Sequence, residues 1–101
     1  MASVNVALFV RMEAKPGKEE EVAQFLRDAQ ALVEEEPDTL TWFGLRLSNS
    51  TFGIFDAFAD ESGRNAHLSG KVAAALMARA PELFGSGPVI EKAEVLASKL
   101  P

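Results

Sequence analysis

The stretch SGRNAHLSG, residues 62–70, carries the only histidine of the chain, which has no cysteine and no tyrosine. An imidazole, with an ordinary pKa near 6.5, is the side chain best suited to exchange a proton near neutral pH. Acid–base chemistry of that kind would fall to His67. A lone histidine on a short helix is also a common structural residue, so its neighbours decide its meaning. Without cysteine there is no thiolate nucleophile, no disulfide and no cysteine-ligated metal. No Ser–His–Asp spacing can be read either.

Asp56 is the second unusual residue. It stands inside GIFDAFAD, between apolar neighbours, and a buried aspartate needs a partner. Arg11, Arg46 and Arg64 are the candidate partners, with Arg46 in the adjoining strand; a solvated strand edge is the plainer alternative. Asn5 has a similar standing on the first strand. Trp42 and the phenylalanines, Phe58 among them, could wall an aromatic pocket. Phenylalanines at strand and helix spacing are usually core, whereas a buried indole N–H needs an acceptor. The loop GSGP at 85–88 lacks GxGxxG spacing and opens no helix, so it is not a phosphate loop. The two EEE runs, 19–21 and 34–36, read as solvated helix surface. One histidine and scattered carboxylates do not make a transition-metal site, so no metal is expected.

The elements that must position these residues follow from periodicity. Residues 3–13 alternate, with Val4, Val6, Leu8, Val10 and Met12 on one face and Asn5, Ala7, Phe9 and Arg11 on the other, which predicts a strand. KPGK turns the chain. From Lys18 to Glu35, apolar residues at three- and four-residue steps predict an amphipathic helix, with Glu19–Glu21 at its positive end and Pro37 beyond its stop. Two β-rich runs, 39–48 and 51–59, flank the turn-forming SNS and predict a hairpin. Asp60 is a suitable N-cap for a short helix through ESGRNAHL. A further helix, KVAAALMARAPELF, is expected to kink or split at Pro81. The alternating VIEKAEVLASK closes the chain as a last strand.

The order β-α-β-β-α-β is that of an α+β, ferredoxin-like fold: one antiparallel sheet with helices on one face, in a single domain over residues 1–101. Too many apolar residues remain for one helical layer to cover. Ala7 and Phe9, either Leu40 and Trp42 or Phe43, Leu45 and Leu47, and the Val89–Ala97 side of the last strand compete for burial. A homodimer packed sheet to sheet is the expected solution.

Composition sets limits on partners. A net charge of −5 on 101 residues disfavours nucleic acid and anionic membrane surfaces. The N-terminus has no signal-peptide pattern and no window is long and apolar enough to span a bilayer, so a soluble, cytoplasmic protein is expected.

VRMEAKPGKEEEVAQFL, FGIFDAFADESGRNAHLSGKVAAAL and the final IEKAEVL together resemble the antibiotic biosynthesis monooxygenase (ABM) domain family over nearly the whole chain. The strand running into D-E-x-x-x-x-A-H-L, with His67 where many members carry histidine, is the most specific part. The resemblance implies a dimeric α+β barrel with a pocket in each subunit between sheet and helices. It implies a cofactor-independent monooxygenase oxidising a hydroquinone- or anthrone-like aromatic with O2. His67 would be base or orienting donor, Trp42 and Phe58 pocket walls, and Asn5, Arg11 and Asp56 polar contacts. The absence of tyrosine departs from members that use tyrosine hydroxyls, and KVAAALMARA lacks the further histidine of the haem-degrading branch. Two other readings use the same scaffold: a non-catalytic small-molecule-binding or stress-response protein, and an isomerase of a small carbonyl or phosphorylated metabolite. The isomerase would need cations such as Arg11 or Arg64 facing the pocket.

Overall fold

The computed structural model describes residues 3–101. In chain order the elements are β1 (Val6–Glu13), α1 (Glu19–Val33), β2 (Thr39–Arg46), β3 (Thr51–Phe58), α2 (Glu61–Leu68), α3 (Lys71–Leu83) and β4 (Val89–Glu94). The strands form one antiparallel sheet in the order β2-β3-β1-β4, the α+β ferredoxin-like arrangement expected from the sequence, with two helices in the second crossover. Among the described residues no helix is long and apolar enough to cross a membrane.

The alternation of β1 sorts its residues as periodicity requires. Val10 and Met12 join Phe52 and Ile54 of β3 in the core beneath Val22, Phe25 and Leu26 of α1 and Leu76, Ala80 and Leu83 of α3. Helix α1 starts after Gly17, whose φ of +86° makes the tight turn that favours glycine. Lys18, at its N-cap, makes no side-chain capping bond; Glu19 reaches back to accept from the Gly17 N–H at 3.0 Å. The helix closes at Val33, with Glu36 N–H donating to Val33 O (2.9 Å) before Pro37.

Two expectations are corrected. Pro81 does not split α3, which runs through it to Leu83. Proline removes the bond to the carbonyl of Met77, a residue 56% exposed where water can serve instead. Buried Leu83 and Phe84, with Lys15 Nζ donating to Pro81 O at 2.6 Å, pin the end of the helix. The last strand stops at Glu94 rather than running through Lys99. Alternation continues, but β1 begins at Val6, so after the Val95 N–H bond to Asn5 O (2.9 Å) no neighbouring strand remains.

Strand β2 settles which of its faces turns inward, which the sequence leaves open. Thr39 faces Phe58 and Thr41 faces Ala57, so Leu40 is the extra residue of a β-bulge. The bulge puts Thr39 and Trp42, three residues apart, on the same side of the sheet as the helices. Strict alternation would have put them on opposite sides. Phe43 and Leu45 consequently lie on the outer face.

Candidate functional site

His67 lies on α2, and its ring points into the molecule, with the residue only 7% exposed. The Asp60 carboxylate caps α2 by accepting from the Gly63 N–H at 3.0 Å, which fixes where the helix starts and so where residue 67 falls. Nδ1 of His67 is 2.6 Å from Glu36 Oε1, and Nε2 is 2.9 Å from Asp56 Oδ2. The Phe58 ring packs beside the imidazole, centroid to centroid at 5.5 Å. Thr39 Oγ1 donates to Glu36 Oε1 at 2.8 Å and lies 3.4 Å from Nδ1, so the bulge directly serves this cluster.

The two contacts differ in quality. Glu36 accepts a short, aligned bond. The Nε2–Oδ2 approach is longer, at 2.9 Å, and neither Asp56 oxygen receives an aligned donor. Burial of His67 works against the charged imidazolium, yet the hydrogen-bonding contacts and charges of Asp56 and Glu36 outweigh it and raise the pKa above 6.5. With a carboxylate at each ring nitrogen, the doubly protonated ring is the state that satisfies both sides. The carboxylates approach divergent edges of the ring, so the three groups do not converge on one point.

Glu36 connects this buried cluster to the surface. Its side chain is 19% exposed, and it lines an open cleft of about 570 Å3 between α1 and β2. That volume falls within the range of small-molecule sites. Leu26, Trp42, Gly44 and Phe52 provide apolar wall, while Arg27, Gln30, Thr39 and Arg46 add polar groups. Arg46 is engaged with Glu20 at 3.1 Å and stacks over Phe52 at 4.8 Å.

The sequence candidates divide clearly. Asp56 and His67 meet, and Trp42 stands in the cleft wall as the cross-strand neighbour of Asp56. Phe58 is fully buried behind the imidazole rather than in the cleft wall. Asn5 is exposed and donates to Ala59 O at 3.0 Å, at the strand start. Arg11 is exposed on the outer face, opposite Gly53 and Val89. The partner of Asp56 is His67 and none of the three arginines considered. Glu36 is the residue that sequence reasoning missed, because the run EEE reads as helix surface. Its third member lies past the helix end, and the following Pro37 is the available signal, since the residue before proline leaves helical geometry.

No family model matches the chain, and no curated protein matches it. Among solved structures, a protein of unknown function from Nitrosomonas europaea is 58% identical and superposes with a TM-score of 0.95, over 97% of this chain and 95% of that one. A candidate antibiotic biosynthesis monooxygenase from Caulobacter crescentus gives 0.79 at 18% identity, over 93% and 92%. Another from Bacteroides thetaiotaomicron gives 0.77 at 17%, over 97% and 95%. The chain belongs to one family with the Nitrosomonas protein, and that family has the ABM fold. At such low identity the two ABM proteins speak for the fold alone. The ABM fold places α1 over the inner face of the sheet beside the edge strand β2, and the cleft with Glu36 on its wall opens there.

Proposed function

We propose that this chain is a cofactor-independent monooxygenase that oxidises a hydroquinone- or anthrone-like aromatic with O2 in the α1–β2 cleft. The observation that carries this reading is the carboxylate of Glu36, exposed to the cleft and hydrogen-bonded from behind to an imidazole backed by buried Asp56. Glu36 takes the proton from the phenol or activated carbon. His67, held in its protonated form, is the orienting donor rather than the base, and Asp56 keeps it charged. Trp42 forms the apolar surface against which a planar ring would lie.

The substrate supplies the electrons. Its anion passes one electron to O2, the radical pair joins at carbon as a peroxide, and loss of water leaves a carbonyl. For an anthrone, a CH2 group and O2 become C=O and H2O. A homodimer paired through the outer sheet face completes the proposal.

Arg27 and Arg46 in the cleft favour a second reading, an isomerase of a small carbonyl metabolite that uses the same base without O2. Oxygen uptake separates the two. With an anthrone in chelator-treated buffer, the proposal expects one O2 consumed per quinone formed, and strong loss of uptake in Glu36→Gln. Proton exchange at the substrate carbon without O2 uptake would instead support the isomerase. Saturable binding with neither reaction would support a binding protein.

A further inference from the structure

Helix α2 is docked in an unusual way. Its buried residues are Gly63, Arg64 and His67, with no buried apolar side chain among its eight residues. So short a helix does not hold its shape without tertiary support, and here that support is polar. Arg64, itself 8% exposed, donates from Nη1 to Ala7 O and to Ala93 O, both at 3.2 Å. Ala7 and Ala93 face one another across β1 and β4. A single guanidinium thus fastens α2 to two strands at one register position. At Gly63 a Cβ would sit 3.3 Å from Asp38 Cβ and Asp38 O, so the helix also approaches the chain after α1 closely.

Arg64 and His67 are three residues apart and share one face of α2. We propose that Arg64 is the positioning residue of this site, its buried guanidinium holding α2 on β1 and β4 through Nη1 so that the His67 ring is kept between Asp56 and Glu36. Its partners are carbonyls rather than a carboxylate, so its contribution is geometric. A hydrocarbon side chain would bury more cheaply there, and a lysine ammonium on its flexible stem lacks the rigid plane that fixes the directions of the two Nη1 hydrogens. The groups facing the ring are Asp56 from β3, Glu36 from the segment after α1, and Thr39 from β2. From α3, Lys71 is exposed and lies 3.8 Å from Glu35.

The inference deepens the function proposed above, but its main test needs no substrate. Because His67 is the only histidine, the imidazole C–H signals in a proton NMR titration belong to it alone. Arg64→Lys keeps the charge and loses the rigid planar donor group. The expected result is a fall of the His67 titration midpoint toward the ordinary value, with faster amide exchange in α2. A midpoint equal to that of the unaltered protein, accompanied only by a lower unfolding temperature, would overturn the proposal. Should Arg64→Lys not fold, the unaltered protein provides the decision. Its Arg64 Nε–H signal should be protected from exchange and shift with the same midpoint as His67. Exchange as fast as that of exposed Arg11 and Arg27 would overturn it. Failure to turn over any quinol or anthrone would count against the proposed reaction and leave this titration result intact.

Discussion

Glu36 Oε1 and His67 Nδ1 lie 2.6 Å apart, joining a residue just beyond the end of α1 to one on α2. Asp56, 2.9 Å from the opposite ring nitrogen, makes the imidazole the centre of a carboxylate–imidazole–carboxylate chain. Its inner end is fully buried and its outer end meets the cleft. A histidine engaged on both sides has no free lone pair for substrate. Reactivity is displaced from the only histidine of the chain to the carboxylate in front of it.

The raised pKa of His67 has a consequence for stability. The folded-state value lies above that of the unfolded chain, so folding binds a proton at this site. The stabilisation is fully present below about pH 6.5, the unfolded-state value, and is lost as pH rises through the folded-state value. The unfolding temperature should therefore decline on the alkaline side of that transition. In His67→Gln the decline should flatten, and a parallel decline in the variant would remove His67 as its cause.

The two carboxylates should respond differently to neutralisation. Asp56 is entirely shielded from water, and Asp56→Asn leaves the buried imidazolium without its inner counter-charge, at a cost of about 3–5 kcal/mol by denaturant unfolding. Glu36 is partly solvated, so Glu36→Gln should disturb stability less while lowering turnover by about 10²–10⁴-fold, the usual worth of a general base. Equal stability losses in both variants, with turnover retained in Glu36→Gln, would contradict this division of roles.

How much of this was legible in the sequence depends on how local the signal was. The alternation from Val4 to Met12, the apolar stripe of α1 and the Asp60 cap are local patterns, and the fold assembled from them is the one observed. Asp56 announced itself as an aspartate among apolar residues, but its partner sits eleven positions away on another element. Glu36 was hidden twice, once by belonging to EEE and once by the bulge at Leu40. That bulge rotates Thr39 toward the cluster, and no period-two reading contains it. The end of β4 depended on where its neighbour begins, which residues 95–99 cannot encode.

Gly44 offers a probe of the cleft. A Cβ there would lie 3.2 Å from Leu26 Cβ and 3.3 and 3.6 Å from Trp42 Cη2 and Cζ3. Gly44→Val should push the indole out of place, with an overpacking cost of about 1–3 kcal/mol. Trp42 is the only tryptophan, so its emission reports the displacement directly. Binding of an anthrone should quench that emission in the unaltered protein and quench it weakly in Gly44→Val. Unchanged emission on binding would place the ligand away from this wall.

The outer face of the sheet carries the last prediction. Phe43 and Phe55 are cross-strand partners 51% and 37% exposed, and Phe9 pairs with Phe55 on the next strand. Leu45 and Val89 lie one register step along on the same face. Two exposed phenylalanine rings beside a half-buried third on a small domain are the kind of patch that marks an association surface. The proposed partner is a second copy of the chain, whose identical face offers the same apolar rows in a two-fold arrangement. Light scattering should then give twice the 10.9 kDa chain mass for the unaltered protein. Phe55→Glu, which sets a charge at the centre of the patch and leaves the Glu36–His67–Asp56 cluster on the opposite face, should return the mass to that of one chain. An unaltered chain that stays monomeric at micromolar concentration would remove the sheet-face dimer.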